Sequence, residues 1–144
     1  GIKAGSIYYH FGSKEGLYRQ VIDKQPGNVL ALNNLAYVLA REKKPGSVAL
    51  AEQALQRAPK SAAGMDTLAL ALAAENQLPR AVDVQKQAVA AAPEAHNFRL
   101  QLAKLMLEAG DKTNARTELS TLAGLGSKFP RQAEVADLIK TADK

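Results

Sequence analysis

The two histidines of this chain, His10 and His96, are the side chains best suited to bind a metal ion or to transfer protons near neutral pH. They lie far apart in the sequence, and neither has a second ligand at helical spacing. The chain contains no cysteine, which excludes thiolate metal sites and disulfides. We therefore expect no metal site and no cofactor.

Motifs for other kinds of catalysis are also missing. No glycine-rich phosphate loop follows a strand, because the sequence predicts no strands, and Gly124 and Gly126 are typical of a helix stop. There is no nucleophile elbow, and the acidic residues are scattered along predicted exposed helix faces. The sequence predicts a protein that is not an enzyme and that functions by binding.

Length and composition are those of a globular domain. The 144 residues, 47% of them hydrophobic, suffice for one domain with a core. No window approaches twenty uninterrupted apolar residues, so no membrane span is predicted. The net charge is +5, and the first 25 residues are richer in positive charge than the rest.

A repeat organises the chain after residue 26. The pair Leu68 and Ala69 recurs 34 residues later at 102–103 and 33 residues earlier at 35–36. This period is typical of stacked helical hairpins. The predicted helices span 29–42 and 46–57, 62–75 and 79–91, 95–109 and 112–122, with a further helix at 131–142.

Small and bulky side chains recur at fixed places in these hairpins. Alanine permits close approach of two helices, and leucine fills the space between them at i, i+4 spacing. The small residues are Ala36, Ala69 and Ala103 within hairpins and Ala54 and Ala88 between them. The bulky residues are Leu35, Leu39, Leu68, Leu72, Leu102 and Met106. We expect both sets to be buried.

The central repeat, residues 62–93, resembles the tetratricopeptide repeat (TPR) family. Met65, Leu68, Ala69, Leu72, Ala81 and Pro93 stand at the spacing of its W-x2-L-G-x2-Y, A-x3-F and P pattern, although Gln85 replaces the Phe. The resemblance covers roughly residues 27–125. It implies an all-α fold: a right-handed α-solenoid of about three TPR helical hairpins, with an N-terminal helical hairpin and a C-terminal capping helix.

In this family the first helix of each hairpin lines a concave groove, so the resemblance implies a protein or peptide partner there. Tyr37 and Leu70 would be apolar anchors, and Arg41 or Lys104 would face carboxylates. The candidate groove residues are Asn33, Tyr37, Arg41, Asp66, Leu70, Asn97, Lys104 and Glu108, with Ala40, Ala63, Ala73 and Leu100 between them. A solvated inner face or a self-association surface is the alternative.

Residues 1–22 resemble the recognition helix and following helix start of the tetracycline-repressor (TetR) family. GIKAGSIYYHFGSKEGL is close to that family's G-[IV]-S-x-G-[ST]-[IL]-Y-x-H-F-x-[SG]-K-[ED]-x-L pattern, with Lys3 where Ser is usual. The resemblance implies DNA contacts by Lys3, Ser6, Tyr8, Tyr9, His10 and Lys14. Because such a reader also needs a preceding helix, which would lie before Gly1, we expect this chain not to bind nucleic acid.

The sequence thus predicts three regions: a TetR-like fragment packed as a helical hairpin at 1–25, a TPR array at 26–130 and a capping helix at 131–144. Residues 17–26 also resemble the closing half of a TPR unit, which suggests a chimera. Three hypotheses stay open: a protein- or peptide-binding scaffold, a DNA-binding fragment of a TetR-like regulator, and an engineered or chimeric protein that folds or self-associates without a ligand.

Overall fold

The computed structural model describes residues 14–144. This part of the chain forms eight α-helices and no strand. The helices are α1 (Lys14–Lys24), α2 (Val29–Arg41), α3 (Ser47–Arg57), α4 (Ala62–Ala74), α5 (Leu78–Ala91), α6 (His96–Glu108), α7 (Lys112–Ala123) and α8 (Gln132–Asp143), with a short 3₁₀ turn at Gly126–Lys128. The predicted all-helical solenoid is confirmed, and none of these helices is long and apolar enough to cross a membrane.

The helices stack in order as hairpins. Each helix packs against the next one along the chain, and α2 also packs directly against α4. The pairs α2–α3, α4–α5 and α6–α7 are the three predicted hairpins, with α1 packed on α2 and α8 packed on α7. The first helices of the first two hairpins therefore lie side by side and form a shared surface.

The same left-handed turn joins the two helices of every hairpin. Lys43, Asn76 and Gly110 have φ values of 55°, 63° and 84°. In each turn the next backbone N–H donates to a carbonyl five residues earlier, at 2.8 Å in all three hairpins. This is the bonding of a Schellman cap, which ends the first helix and sets the direction of the second.

The predicted core is also confirmed. Ala36, Ala69 and Ala103 are completely buried, and all six bulky positions are at least 95% buried. One buried cluster joins the first two hairpins and includes Leu105 of α6. A second cluster lies beneath α8, where Phe129 and Val135 meet the third hairpin. The core thus holds α2 and α4 close against one another, because protein interiors are close-packed and leave little free space between helices.

Candidate functional site

The first helices α2 and α4 present one continuous surface, which we call the inner surface. Leu30, Asn33, Tyr37 and Arg41 follow one another at i, i+3, i+7 and i+11, so they lie on one face of α2. Residues 63, 66, 70 and 74 repeat this spacing on α4. Two large apolar side chains of α2 are left open to solvent, since Leu30 is 69% exposed and Tyr37 is 45% exposed.

A cavity of about 540 Å³ lies at the ends of the first helices, and we call it the charged cavity. Its apolar part consists of alanine and leucine, and its polar part contains two basic side chains, one acidic side chain and one amide. The lining residues are Ala40, Leu70, Ala73, Ala74 and Leu78, with Arg41, Lys43, Asn76 and Glu108. It brings together residues of three hairpins, including the predicted groove residues Arg41, Leu70 and Glu108.

The charges at this cavity are not neutralised within residues 14–144. Arg41, Lys43 and Glu108 are exposed, and none of them forms an ion pair with another described residue. The adjacent Lys44 behaves differently, since its Nζ lies 2.8 Å from carboxylate oxygens of both Glu15 and Glu42. The charged cavity therefore contains two cations and one carboxylate without an ion-pair partner among the described residues.

A second cavity of about 300 Å³ lies at the opposite end of the same helices, and we call it the apolar cavity. Val29, Leu30 and Asn33 line it from α2. The other side is formed by Ala54 of α3 and by Ala58, Ser61, Ala63 and Gly64. The Asn33 Oδ1 atom is buried and has no hydrogen-bond partner among the described residues. An apolar space of this size is suited to an apolar side chain.

Leu30 was not among the groove residues expected from the sequence. Its signal was available, because Leu30 stands one helical turn before Asn33 on the same face of α2.

Asp66 lies on α4 between the two cavities. Its Oδ1 accepts a hydrogen bond of 2.8 Å from the Gln85 side-chain amide, which also donates to the Phe98 carbonyl at 2.9 Å. Gln85 is completely buried. Burial raises the pKa of Asp66, and the hydrogen bond from Gln85 acts in the opposite direction. Gln85, which replaces the Phe of the TPR pattern, thus holds the Asp66 carboxylate in place on the inner surface.

Helix α8 and Arg131, the residue just before it, bind polar groups of the third hairpin. Asn97 accepts a hydrogen bond of 3.1 Å from Arg131, and Lys104 forms an ion pair with Glu134. Lys104, and to a smaller extent Arg131, lower the pKa of Glu134. The polar side chains of Asn97 and Lys104 on the third hairpin are therefore already engaged within the protein.

The expectation that Leu100 lines the groove is wrong. Leu100 is 1% exposed and belongs to the cluster with Leu122, Phe129 and Val135. The segment before α8 folds back over the start of α6 and covers this side chain, as the edge-to-face contact of His96 with Phe129 at 6.1 Å also shows.

Of the six candidate DNA contacts, five lie outside the described residues: Lys3, Ser6, Tyr8, Tyr9 and His10. Lys14 is the first residue of α1 and is exposed. Within residues 14–144 no group of three or more His, Cys, Asp or Glu side chains is placed to hold a metal ion.

The model of the tetratricopeptide repeat family matches residues 15–66 and 67–128. The chain belongs to the tetratricopeptide repeat family. The matched residues include all of α1 except Lys14, so this helix, which also lies in the segment that resembles the TetR family, is part of the TPR match. A comparison with curated protein sequences finds no match.

Solved structures share this TPR fold at low sequence identity. MamA from Desulfovibrio magneticus RS-1, from residue 41 to its end, is 20% identical with a TM-score of 0.72, covering 82% of this chain and 69% of that one. A thermophilic TPR protein of Thermus thermophilus is 18% identical with a TM-score of 0.68, covering 98% and 84%. A chain of the Naa15/Naa10 complex bound to HypK-THB is 19% identical with a TM-score of 0.66, covering 94% and 21%.

Proposed function

We propose that this TPR protein is a non-enzymatic scaffold that binds a protein or peptide partner on its inner surface. The observation that carries the proposal is the placement of two cavities on one face of α2 and α4, with the exposed side chain of Tyr37 between them. Concave apolar surface with a few unpaired polar groups is typical of a binding site.

The exposed apolar side chains support this proposal energetically. Leu30 is 69% exposed and Tyr37 is 45% exposed, so each would bury further apolar area when a partner covers it. Tyrosine combines a large apolar ring with a hydroxyl, which is why it is frequent among the residues that dominate binding energies. The inner surface thus has more to gain from a partner than an ordinary polar helix face.

The structural neighbours support the same class of function only through the fold. One similar chain comes from a complex of Naa15 and Naa10 bound to HypK-THB, which is an assembly of proteins. At 19% identity the shared property is the helical stack, and the residues of the inner surface are this chain's own.

The test is a selection of random 16-residue peptides, displayed on phage, against the immobilised full chain. Dissociation constants of the enriched peptides are then measured by fluorescence anisotropy for the parent protein and for Leu30→Ala and Tyr37→Ala. Leu17→Ala is the matched control, because Leu17 is 44% exposed but lies on α1.

We expect each inner-surface variant to weaken binding about tenfold, which corresponds to about 1.4 kcal/mol, and the Leu17→Ala control to bind as the parent does. Enriched peptides that bind all four proteins equally, or a selection without enrichment, would contradict the proposal.

A further inference from the structure

The two cavities of the inner surface are separated by a fixed distance. Leu30 at the apolar cavity and Arg41 at the charged cavity are eleven residues apart on the single helix α2. At a rise of 1.5 Å per residue the two positions are about 16 Å apart along the helix axis. Because α2 packs against α3 and α4, this distance is fixed. A partner that fills both cavities must therefore carry two side chains about 16 Å apart.

We propose that the partner is an amphipathic helix that lies along α2 and carries two apolar anchor residues eleven positions apart. Beside the second anchor it carries an acidic side chain that faces Arg41 and Lys43. This inference rests on the proposed function and names the partner class for the same surface.

The distance favours a helix over an extended segment. Eleven residues are close to three full turns at 3.6 residues per turn, so residues i and i+11 of a helix point in the same direction. An extended chain advances about 3.3 Å per residue and would span the distance in about five residues. Side chains alternate in an extended chain, so residues five apart point to opposite sides and cannot enter both cavities.

The side chains of the charged cavity indicate that the partner carries an acidic residue beside its second anchor. Arg41 and Lys43 have no ion-pair partner among residues 14–144, and Glu108 lines the same cavity from α6. A carboxylate on the partner is attracted to the two cations, while Glu108 repels it and so keeps it on the α2 side. A basic residue at that point of the partner would meet two like charges.

The two cations at the charged cavity also define the direction of the partner helix. Arg41 and Lys43 are hydrogen-bond donors that line this cavity at the end of α2 and in the turn after it. A helix that starts at the apolar cavity would present its free carbonyls and the negative end of its dipole to them. The charges therefore match a partner helix that runs parallel to α2.

The test uses a second displayed library, built on an 18-residue alanine- and glutamine-rich helical scaffold with one randomised face. It is selected on the full-length chain and on the double variant Arg41→Glu, Lys43→Glu. Lys86→Glu, an exposed lysine of α5, is the matched charge control. Each enriched peptide is also made with one alanine inserted between its anchors, which rotates the second anchor by about 100°.

We expect enriched peptides to carry apolar residues eleven apart with an acidic residue after the second, and the alanine insertion to weaken binding at least tenfold. On the double variant a basic residue should replace the acidic one, whereas selection on Lys86→Glu should be unchanged. Another anchor spacing, tolerance of the insertion, an unchanged charge preference or a library without binders would overturn the inference. If random peptides without this spacing still bind and lose affinity in Leu30→Ala, the proposed function stands and only the helical partner is wrong.

Discussion

The carboxylate of Glu75, just after α4, accepts a hydrogen bond from the hydroxyl of Ser47 at the start of α3, with 3.0 Å between Oε2 and Oγ. The same oxygen accepts from the Val48 backbone N–H at 3.0 Å. The residue before α3 is Gly46, which has no side chain to cap the helix. The second hairpin therefore supplies the cap of a helix in the first, and this links the two units.

Removal of this cap should destabilise the fold. We expect Glu75→Ala to lower the free energy of unfolding by about 1–2 kcal/mol, because the buried Ser47 hydroxyl and the Val48 N–H lose their acceptor. Glu75→Gln should cost less, since its amide oxygen still accepts. Urea denaturation measures both. Glu52→Ala, which removes an exposed ion pair with Arg80, is the control and should cost about 0.5 kcal/mol. Equal losses for Glu75→Gln and Glu75→Ala would contradict the role of the acceptor.

The left-handed turns predict opposite effects of glycine and alanine. We expect Lys43→Gly to raise the free energy of unfolding by about 0.5–1 kcal/mol, because a left-handed conformation strains a residue with a Cβ atom. Asn76→Gly should gain less, since asparagine tolerates this conformation better. Gly110→Ala should cost about 1 kcal/mol. Thermal and urea unfolding of the three variants give the comparison, and a loss of stability in Lys43→Gly would refute the argument.

Substitutions of two leucines in neighbouring hairpins distinguish an effect on stability from an effect on binding. Leu68 is 5% exposed and Leu30 is 69% exposed, so the same truncation to alanine should have different consequences. We expect Leu68→Ala to cost about 2–5 kcal/mol by leaving a cavity, and Leu30→Ala to stay within about 0.5 kcal/mol. Only the second should weaken a peptide bound to the inner surface of an otherwise folded protein. A destabilised Leu30→Ala would show that this side chain belongs to the core.

Asp66 should make stability depend on pH. Burial raises its pKa in the folded chain above the unperturbed 3.8. The folded state therefore holds this proton to higher pH than the unfolded state, and the stability that the group contributes is full below about pH 3.8 and declines as the pH rises through the folded pKa.

Asp66→Asn cannot ionise, and its side-chain oxygen can still accept from Gln85. We expect the stability of the variant relative to the parent to increase from about pH 3.5 to neutral pH, measured by urea denaturation at each pH. A difference that does not change with pH would contradict the raised pKa.

Local sequence signals predicted the helices well. Every predicted boundary from residue 14 onward lies within one residue of the observed one. The reason is that Gly110, Asp111 and Pro130 act on their immediate neighbours, and alanines such as Ala69 repeat with the period of the hairpin. Packing within a hairpin follows from this spacing alone.

The features that could not be predicted from the sequence depend on contacts between segments that are distant in the chain. Leu100 occupies a groove position of the pattern, yet the turn before α8 covers it, and Lys104 meets Glu134 thirty residues later. Gln85 was recognisable as a departure from an aromatic position, but nothing in the sequence identified Asp66 as its partner. A repeat pattern describes an interior unit, and it does not describe how the last unit is closed.

The most direct test of a binding surface on α2 and α4 is a titration of the isotope-labelled full chain with an enriched peptide, followed by amide chemical shifts in NMR spectra. We expect the largest shifts at Leu30, Tyr37 and Leu70 and at their neighbours on the inner surface. Shifts concentrated on α3, α5 and α7, with the inner surface unchanged, would contradict it.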